Sequence, residues 1–307
     1  MKTDKVIVEK PATVIVRADQ LYKLVNNISA KEISLTATDE HLEVREVGAG
    51  GVYKVDIRTD EEYPTISINS DTILEVNTET LKHAFKCTKR CKSKSTHDGI
   101  LLFYLIRNEK LIAADSIKVA YADLPGFTDE VLISPNIANM ISTLDAKVTR
   151  VEIDKDNQKI KFVGDNIVIT GALIGDKLIG GAKDYPNIAP IIEQRFSHSC
   201  MIDKDIMIGA INRIKPVLGL YDANEIDLTF TKEGLVISTK DGSYDKIVYE
   251  DKPNMITEDI TLTVNANLLL DILKSISTSI VTIEMDQDLI KFKSNNDLYL
   301  LATVEEY

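Results

Sequence analysis

One pattern recurs along this chain at intervals of about 60 residues, and it constrains every local assignment. Its first copy is TVIVRADQLYKLVNNI, Thr13 to Ile28: a β-branched run, a polar turn at Asp19, then Leu21, Leu24, Val25 and Ile28 at helical spacing. EISLTATD, HLEVREVG and VYKVDIRT follow, short runs that alternate apolar and polar residues, with turns at Asp39 to Glu40 and Gly48 to Gly51. The order is strand, helix, three strands. It returns in TILEVNTETLKHAFKC, EVLISPNIANMISTL, HSCMIDKDIMIGAINRI and ITLTVNANLLLDILKSI, each trailed by alternating runs, giving about five copies. A polar residue is expected to cap each helix start: Asp19, Thr78, Ser134, Asp203 and Asn265.

The helices are amphipathic and the strands half-apolar, so one copy cannot hide its own apolar face. Copies should pair into domains of an α+β fold built from repeated β-α-β-β-β motifs, helices on one side and sheets on the other. The Pro-containing stretches Glu61 to Asn69 and Lys183 to Glu193 mark expected boundaries, giving segments 1–68, 69–193 and 194–307. The first holds a single copy, half a domain. No apolar run reaches the roughly 18 residues of a membrane span, and MKTDKVIVEKP lacks an apolar leader core. Cys87, Cys91 and Cys200 are too few and odd in number for a disulfide framework, which fits a reducing, intracellular setting.

The net charge is −12, from 36 basic and 48 acidic side chains, which disfavours indiscriminate binding to nucleic acid unless the basic residues gather on one face. One segment gathers them. In LKHAFKCTKRCKSKS, Lys82, Lys86, Lys89 and Arg90 fall on one helical stripe while Leu81 and Phe85 fall on another. Lys92 and Lys94 extend the stripe, and no acid lies between Lys82 and Ser95.

Catalytic constellations are weak. His83, Cys87, Cys91 and His97 form an H-x3-C-x3-C-x5-H string, but three members sit at helical spacing, no CxxC knuckle accompanies them, and basic neighbours oppose a cation; no metal is expected. His41 and His198 have no nucleophile signature near them, and Gly180-Gly181 lacks the spacing of a phosphate loop. Asp39-Glu40 and Glu61-Glu62 read as solvated turns. No catalytic residue and no cofactor is expected.

Three stretches resemble a known family. AADSIKVAYADLP (Ala113 to Pro125), LIGGAKDYPNI (Leu178 to Ile188) and VNANLLLDILKSI (Val264 to Ile276) are similar, in order and spacing, to segments of the bacterial sliding clamp, the beta subunit of DNA polymerase III. Members of that family have six copies in three domains; this chain begins near the second copy, so the first half-domain is missing from the match. The resemblance implies a non-catalytic processivity factor, a homodimeric ring around double-stranded DNA that slides without reading sequence. It further implies a DNA polymerase catalytic subunit, an ATP-dependent clamp loader and other proteins carrying clamp-binding motifs as partners, and a cytoplasmic, nucleoid-associated location.

Site residues follow from the same resemblance. DNA contacts fall on Lys23, Lys82, Lys86, Lys89, Arg90, Lys94, Ser95, Thr96, Lys204 and Arg213, with Ser95 and Thr96 where some members have an aromatic pair. A pocket for short apolar partner peptides falls on His97, Asp115, Ile117, Lys118, Val119, Pro186, Ile191, Leu300, Ala302, Thr303 and Val304. There Ser116, Ile117 and Lys118 stand where Gly, His and Arg are common, and Thr303 stands where the family has proline. The subunit interface falls on Gln20, Leu24, Ile28, Tyr53 and Val55 facing Val217 and Leu218, with Gln20 at a position often held by Lys.

Overall fold

Each sequence repeat becomes one helix followed by an antiparallel three-stranded meander, because the 3.6-residue pattern stops at a polar cap or turn and a two-residue alternation takes over. The computed structural model describes residues 6–58, 66–174, 182–218, 224–249 and 253–304. The expected turns at Glu61-Glu62 and Gly180-Gly181 lie outside these residues. The chain packs as two units, Met1–Ser67 and Ile68–Tyr307.

The first unit is helix α1 (Ala18–Asn27) with strands β1 (Ile33–Ala37), β2 (His41–Glu46) and β3 (Val52–Asp56), paired in the order β1-β2-β3. Its small core is Leu42, Val44 and Val55, covered by Val14, Val16, Leu21, Leu24, Ile28, Ile33 and Ile57. Two expectations are corrected here. The strand expected at Thr13 to Val16 is reduced to one bridge, Val16 to Ile57. The residue at the helix start is Arg17, without a side-chain cap; Asp19 lies inside the first turn and pairs with Arg17 at 3.1 Å.

The second unit holds four complete copies. They are β4 (Thr72–Glu75), α2 (Thr78–Thr88), β5 (Tyr104–Arg107), β6 (Lys110–Ala114) and β7 (Lys118–Asp123); then β8 (Val131–Ile133), α3 (Pro135–Thr143), β9 (Val148–Asp154), β10 (Lys159–Gly164) and β11 (Val168–Ala172). After a short helix α4 (Ala189–Glu193) come β12 (His198–Asp203), α5 (Lys204–Ile214), β13 (Glu225–Phe230), β14 (Gly234–Ser238) and β15 (Tyr244–Val248). The last copy is β16 (Ile260–Asn265), α6 (Ala266–Ser275), β17 (Ile280–Met285), β18 (Leu289–Ser294) and β19 (Asp297–Ala302).

Copies interlock by exchanging their leading strands. β4 pairs with β9 and β8 with β5; β12 pairs with β17 and β16 with β13. Each leading strand thereby covers the edge of its neighbour's meander, which removes an exposed ladder and explains why copies fold in pairs. The two pairs then merge, because β7 and β19 join antiparallel with Leu298 opposite Tyr121 and Leu301 opposite Lys118. The result is one eight-stranded sheet, β12-β17-β18-β19-β7-β6-β5-β8, flanked by the four-stranded sheets β11-β10-β9-β4 and β15-β14-β13-β16. Segments 69–193 and 194–307 thus share a sheet and a single core running from Leu81 to Leu301.

Caps hold three of the unit's helices where the sequence places them: Ser134, Asp203 and Asn265 each accept from backbone amides in the first turn. For α2 the cap is Asn77, whose Oδ1 accepts from Glu79 and Thr80 at 2.9 and 3.1 Å. Thr78 is buried and occupied elsewhere, donating to the Val148 carbonyl at 2.6 Å and accepting from the Val148 amide at 3.0 Å. Helix α2 touches α3 and α6, and α6 touches α5, so the helices form a row over the shared core.

Candidate functional site

Helix α2 sorts its residues as the stripe pattern requires. Leu81, Ala84 and Phe85 enter the core while Lys86, Lys89 and Arg90 are exposed and Lys82 is half-buried. The helix ends at Thr88, with Lys89 as its C-cap, so Arg90 and Lys94 project from the turn that follows. Ser95 caps the succeeding 3-10 helix by accepting from the His97 amide at 3.3 Å, and Thr96 is exposed beside it.

The acid-free character of this segment in sequence does not carry over to space. Asp271, on α6, lies 3.6 Å from Arg90 and 3.9 Å from Lys94. Lys82, Lys86 and Lys89 have no ion-pair partner among the described residues. On α5, Arg213 pairs with Asp245 at 2.6 Å, and the Lys204 ammonium donates to the Ile276 carbonyl at 3.0 Å, capping the end of α6. Lys204 is therefore a structural tie rather than a free cation on the helix face. Lys23 is exposed on α1 in the first unit.

Among the expected peptide-pocket residues, Lys118 lies on the helix side of its strand. Strand alternation turns Lys118, Ala120 and Ala122 toward the helices, and Val119 and Tyr121 to the opposite face of the sheet. Lys118 is only 3% exposed and its ammonium sits 2.9 Å from Asp115 Oδ2 and 3.6 Å from Asp271 Oδ2. Asp115 also accepts from the amides of Ile117 and Lys118 at 2.8 and 2.7 Å, which fixes the turn between β6 and β7. These two residues form a charged joint under the basic stripe, on the face of the sheet opposite Val119.

On the other face, Val119, Tyr121 and Ile192 pack against a buried cluster that includes Leu105, Ile112, Tyr185 and Ile188. Leu300 is buried, as a core strand residue is, and its ladder partner is Lys291. The Lys291 ammonium lies 4.4 Å from the Phe196 ring centre and donates to the carbonyls of Ile192 and Gln194 at 2.8 and 2.9 Å. Burial pulls its pKa below the ordinary lysine range. Pro186 and Ile191 are exposed, whereas Tyr185, Ile188 and Ile192 from the same stretch pack inward. Beyond Ala302 the chain leaves the sheet: the Thr303 amide donates to the Asp288 carbonyl at 3.1 Å and the Val304 amide to the Thr263 carbonyl at 2.8 Å. His97 and Ile117 are exposed. Two cavities, of about 890 and about 390 Å3, open beside Asn77, Lys82 and Arg150 and beside His83 and Asp297, so neither includes the expected peptide-pocket residues.

The expected interface residues divide between core and surface. Leu24, Ile28 and Val55 serve the first unit's own core, while Gln20 and Tyr53 are exposed and the Tyr53 hydroxyl donates to Glu46 Oε1 at 2.9 Å. In the second unit Val217 is exposed and Leu218 packs onto the core.

Comparison of sequences against family models and against curated proteins finds no match, so likeness is carried by structure. The DNA polymerase III subunit beta of Borrelia burgdorferi, solved in complex with a natural product, superposes with a TM-score of 0.83 at 14% identity, over 98% of this chain and 84% of that one. The DNA polymerase sliding clamp of Bacillus subtilis gives 0.80 at 18% identity, over 100% of this chain and 84% of that one. This chain has the bacterial sliding-clamp fold. A DnaN sliding clamp from Bartonella birtlesii bound to griselimycin agrees, at 0.80 and 18% identity, over 98% of this chain and 84% of that one. Within the clamp fold the row of helices carries the Lys82, Lys86 and Lys89 stripe, and sequence reasoning missed Asp271, Lys291 and Asp297. A lone acid in the apolar run of α6 and a lone lysine between Ile290 and Phe292 were the only signals available.

Proposed function

We propose that this chain is a DNA polymerase processivity factor, a homodimeric ring that encloses duplex DNA and tethers a replicative DNA polymerase catalytic subunit to it. The observation that carries the reading is the clamp fold, matched over 98% or more of the chain. The row of helices bearing Lys82, Lys86 and Lys89 supports it, since phosphate interactions of this kind are electrostatic, independent of sequence and readily exchanged as a ring moves. No bond is made or broken by the protein, so it needs neither catalytic residue nor cofactor. An ATP-dependent loader opens the ring in the cytoplasm at the nucleoid. Polymerase and other clamp-binding-motif proteins dock on the sheet face around Val119, Ile191, Leu300 and Val304, an apolar anchor arrangement. Segments 1–68, 69–193 and 194–307 act as the clamp domains, with Gln20 and Tyr53 facing Val217 of the second subunit.

A second reading, a clamp-fold protein that binds peptides without encircling DNA, is favoured by the pairing of Arg90, Lys94 and Arg213 with acids and by the net charge of −12. Light scattering across a dilution series, followed by loading onto primed circular DNA, separates them. A stable dimer that is retained on the circle supports the ring; a monomer that binds an apolar clamp peptide but not the circle supports the alternative.

A further inference from the structure

The string His83, Cys87, Cys91, His97 does not assemble, yet two of its members meet a third donor from another repeat. His83 Nε2 lies 2.8 Å from Asp297 Oδ2, and Cys87 Sγ lies 3.4 Å from His83 Nε2 and 3.5 Å from Asp297 Oδ2. At ordinary zinc bond lengths a tetrahedral site puts a thiolate about 3.6 Å from an imidazole nitrogen or carboxylate oxygen, and those two about 3.4 Å apart. Both sulfur edges of that figure are therefore close to formed, and the remaining edge has to open by about 0.6 Å.

The surroundings suit a cation. Cys87 and Asp297 are buried, while the His83 ring is partly exposed on the wall of the cavity of about 390 Å3. Glu79 and Asp123 line the same cavity; Asp123 is paired with Lys110, so Glu79 and Asp297 are the carboxylates there that oppose the charge of Lys82 and Lys86 on the neighbouring helix face. Glu79, His83 and Cys87 occupy one stripe of α2, and Asp297 enters at the start of β19 directly after a tight turn. The donor set, one sulfur, one imidazole and one carboxylate, matches a borderline-soft ion better than magnesium or calcium.

We propose that His83, Cys87 and Asp297 bind one Zn2+, with a water from the cavity in the fourth position. Binding releases the Cys87 thiol proton to solvent and changes no oxidation state. The ion ties α2, which bears the basic stripe, to the β18–β19 turn from the last repeat. The site is independent of the DNA reading, since it involves only these side chains.

The test uses the full chain freed of metal by chelation and titrated with Co2+ as a spectroscopic probe, then with Zn2+ in competition. The expected result is one equivalent bound, with a near-ultraviolet thiolate-to-cobalt band that Zn2+ abolishes. Cys87→Ser removes the band, Asp297→Asn weakens binding at least tenfold, and Cys91→Ser and Cys200→Ser leave both unchanged. Zn2+ raises the Tm of the parent protein by more than that of Asp297→Asn at the same concentration, a variant that keeps the side-chain shape should Cys87→Ser fail to fold. Absence of a thiolate band on the folded parent, or a band that survives Cys87→Ser, overturns the site and leaves three groups that only hydrogen-bond one another.

Discussion

Lys118 Nζ lies 3.6 Å from the carboxylate of Asp271, joining strand β7 to helix α6 across the seam where β7 and β19 merge the two pairs of repeats. With Asp115 at 2.9 Å the lysine stands between two carboxylates, almost completely buried. Removing the cation leaves those acids facing each other, and breaking a buried pair typically costs about 3–5 kcal/mol. Lys118→Ala is expected to destabilise by about that amount, and Lys118→Met by less because it refills the space. Urea denaturation of both variants measures this; equal stability of Lys118→Ala and the parent protein contradicts the role of the joint.

Asp271 also restrains Arg90 and Lys94, at 3.6 and 3.9 Å. If the helix row meets phosphates, Asp271→Asn releases both cations and steepens the salt dependence of DNA association. Replacing Lys82, Lys86 and Lys89 by Ala makes it shallower, by about 0.9 in the log–log slope for each phosphate left without its lysine. Binding isotherms on duplex DNA over a series of salt concentrations give the slopes, and unchanged slopes in both variants argue against this face.

The repeated β-α-β-β-β order was legible because alternation and helical spacing are local properties, and Ser134, Asp203 and Asn265 cap their helices as their positions imply. Thr78 misled because its hydroxyl serves the Val148 backbone, a partner no local pattern reveals. The same limit hides Asp271 from Arg90 and Asp297 from His83, since each pair is brought together only by the exchange of strands and the merging of sheets. Lys118 was legible in part: period-two alternation already sends it and Val119 to opposite faces, but its partner Asp271 comes from another repeat.

The proposed docking of apolar peptides would draw on exposed aliphatic side chains that flank the sheet, Ile117 at 45%, Ile191 at 40% and Val304 at 36% exposure. Ile191→Asp is expected to weaken an apolar clamp-motif peptide at least tenfold, a loss of about 1.4 kcal/mol, with little change in Tm. Fluorescence polarisation with a labelled peptide reads the loss. Unaltered affinity in Ile191→Asp and Val304→Asp together rules out this face.

Acid sensitivity should trace in part to Glu152. Hydrogen bonding from Lys161 at 3.0 Å, with Arg150 adding to it, holds the carboxyl below its ordinary value of 4.5. The unfolded chain then binds the proton more readily, so this group's contribution is present above that value and is lost as pH falls through the lower folded one. Glu152→Gln should therefore narrow its stability difference from the parent as pH drops below about 4.5, as pH-dependent urea midpoints would record. A difference that stays constant across that range contradicts the assignment.

Enclosure of DNA is tested most directly by topology. The chain is loaded onto nicked circular DNA with a clamp loader and ATP, separated by gel filtration, and the circle is then cut once. The protein is expected to travel with the intact circle and to leave after linearisation, because a ring held without sequence-specific grip slides off free ends. Equal retention on circular and linear DNA, or no retention on either, would contradict enclosure.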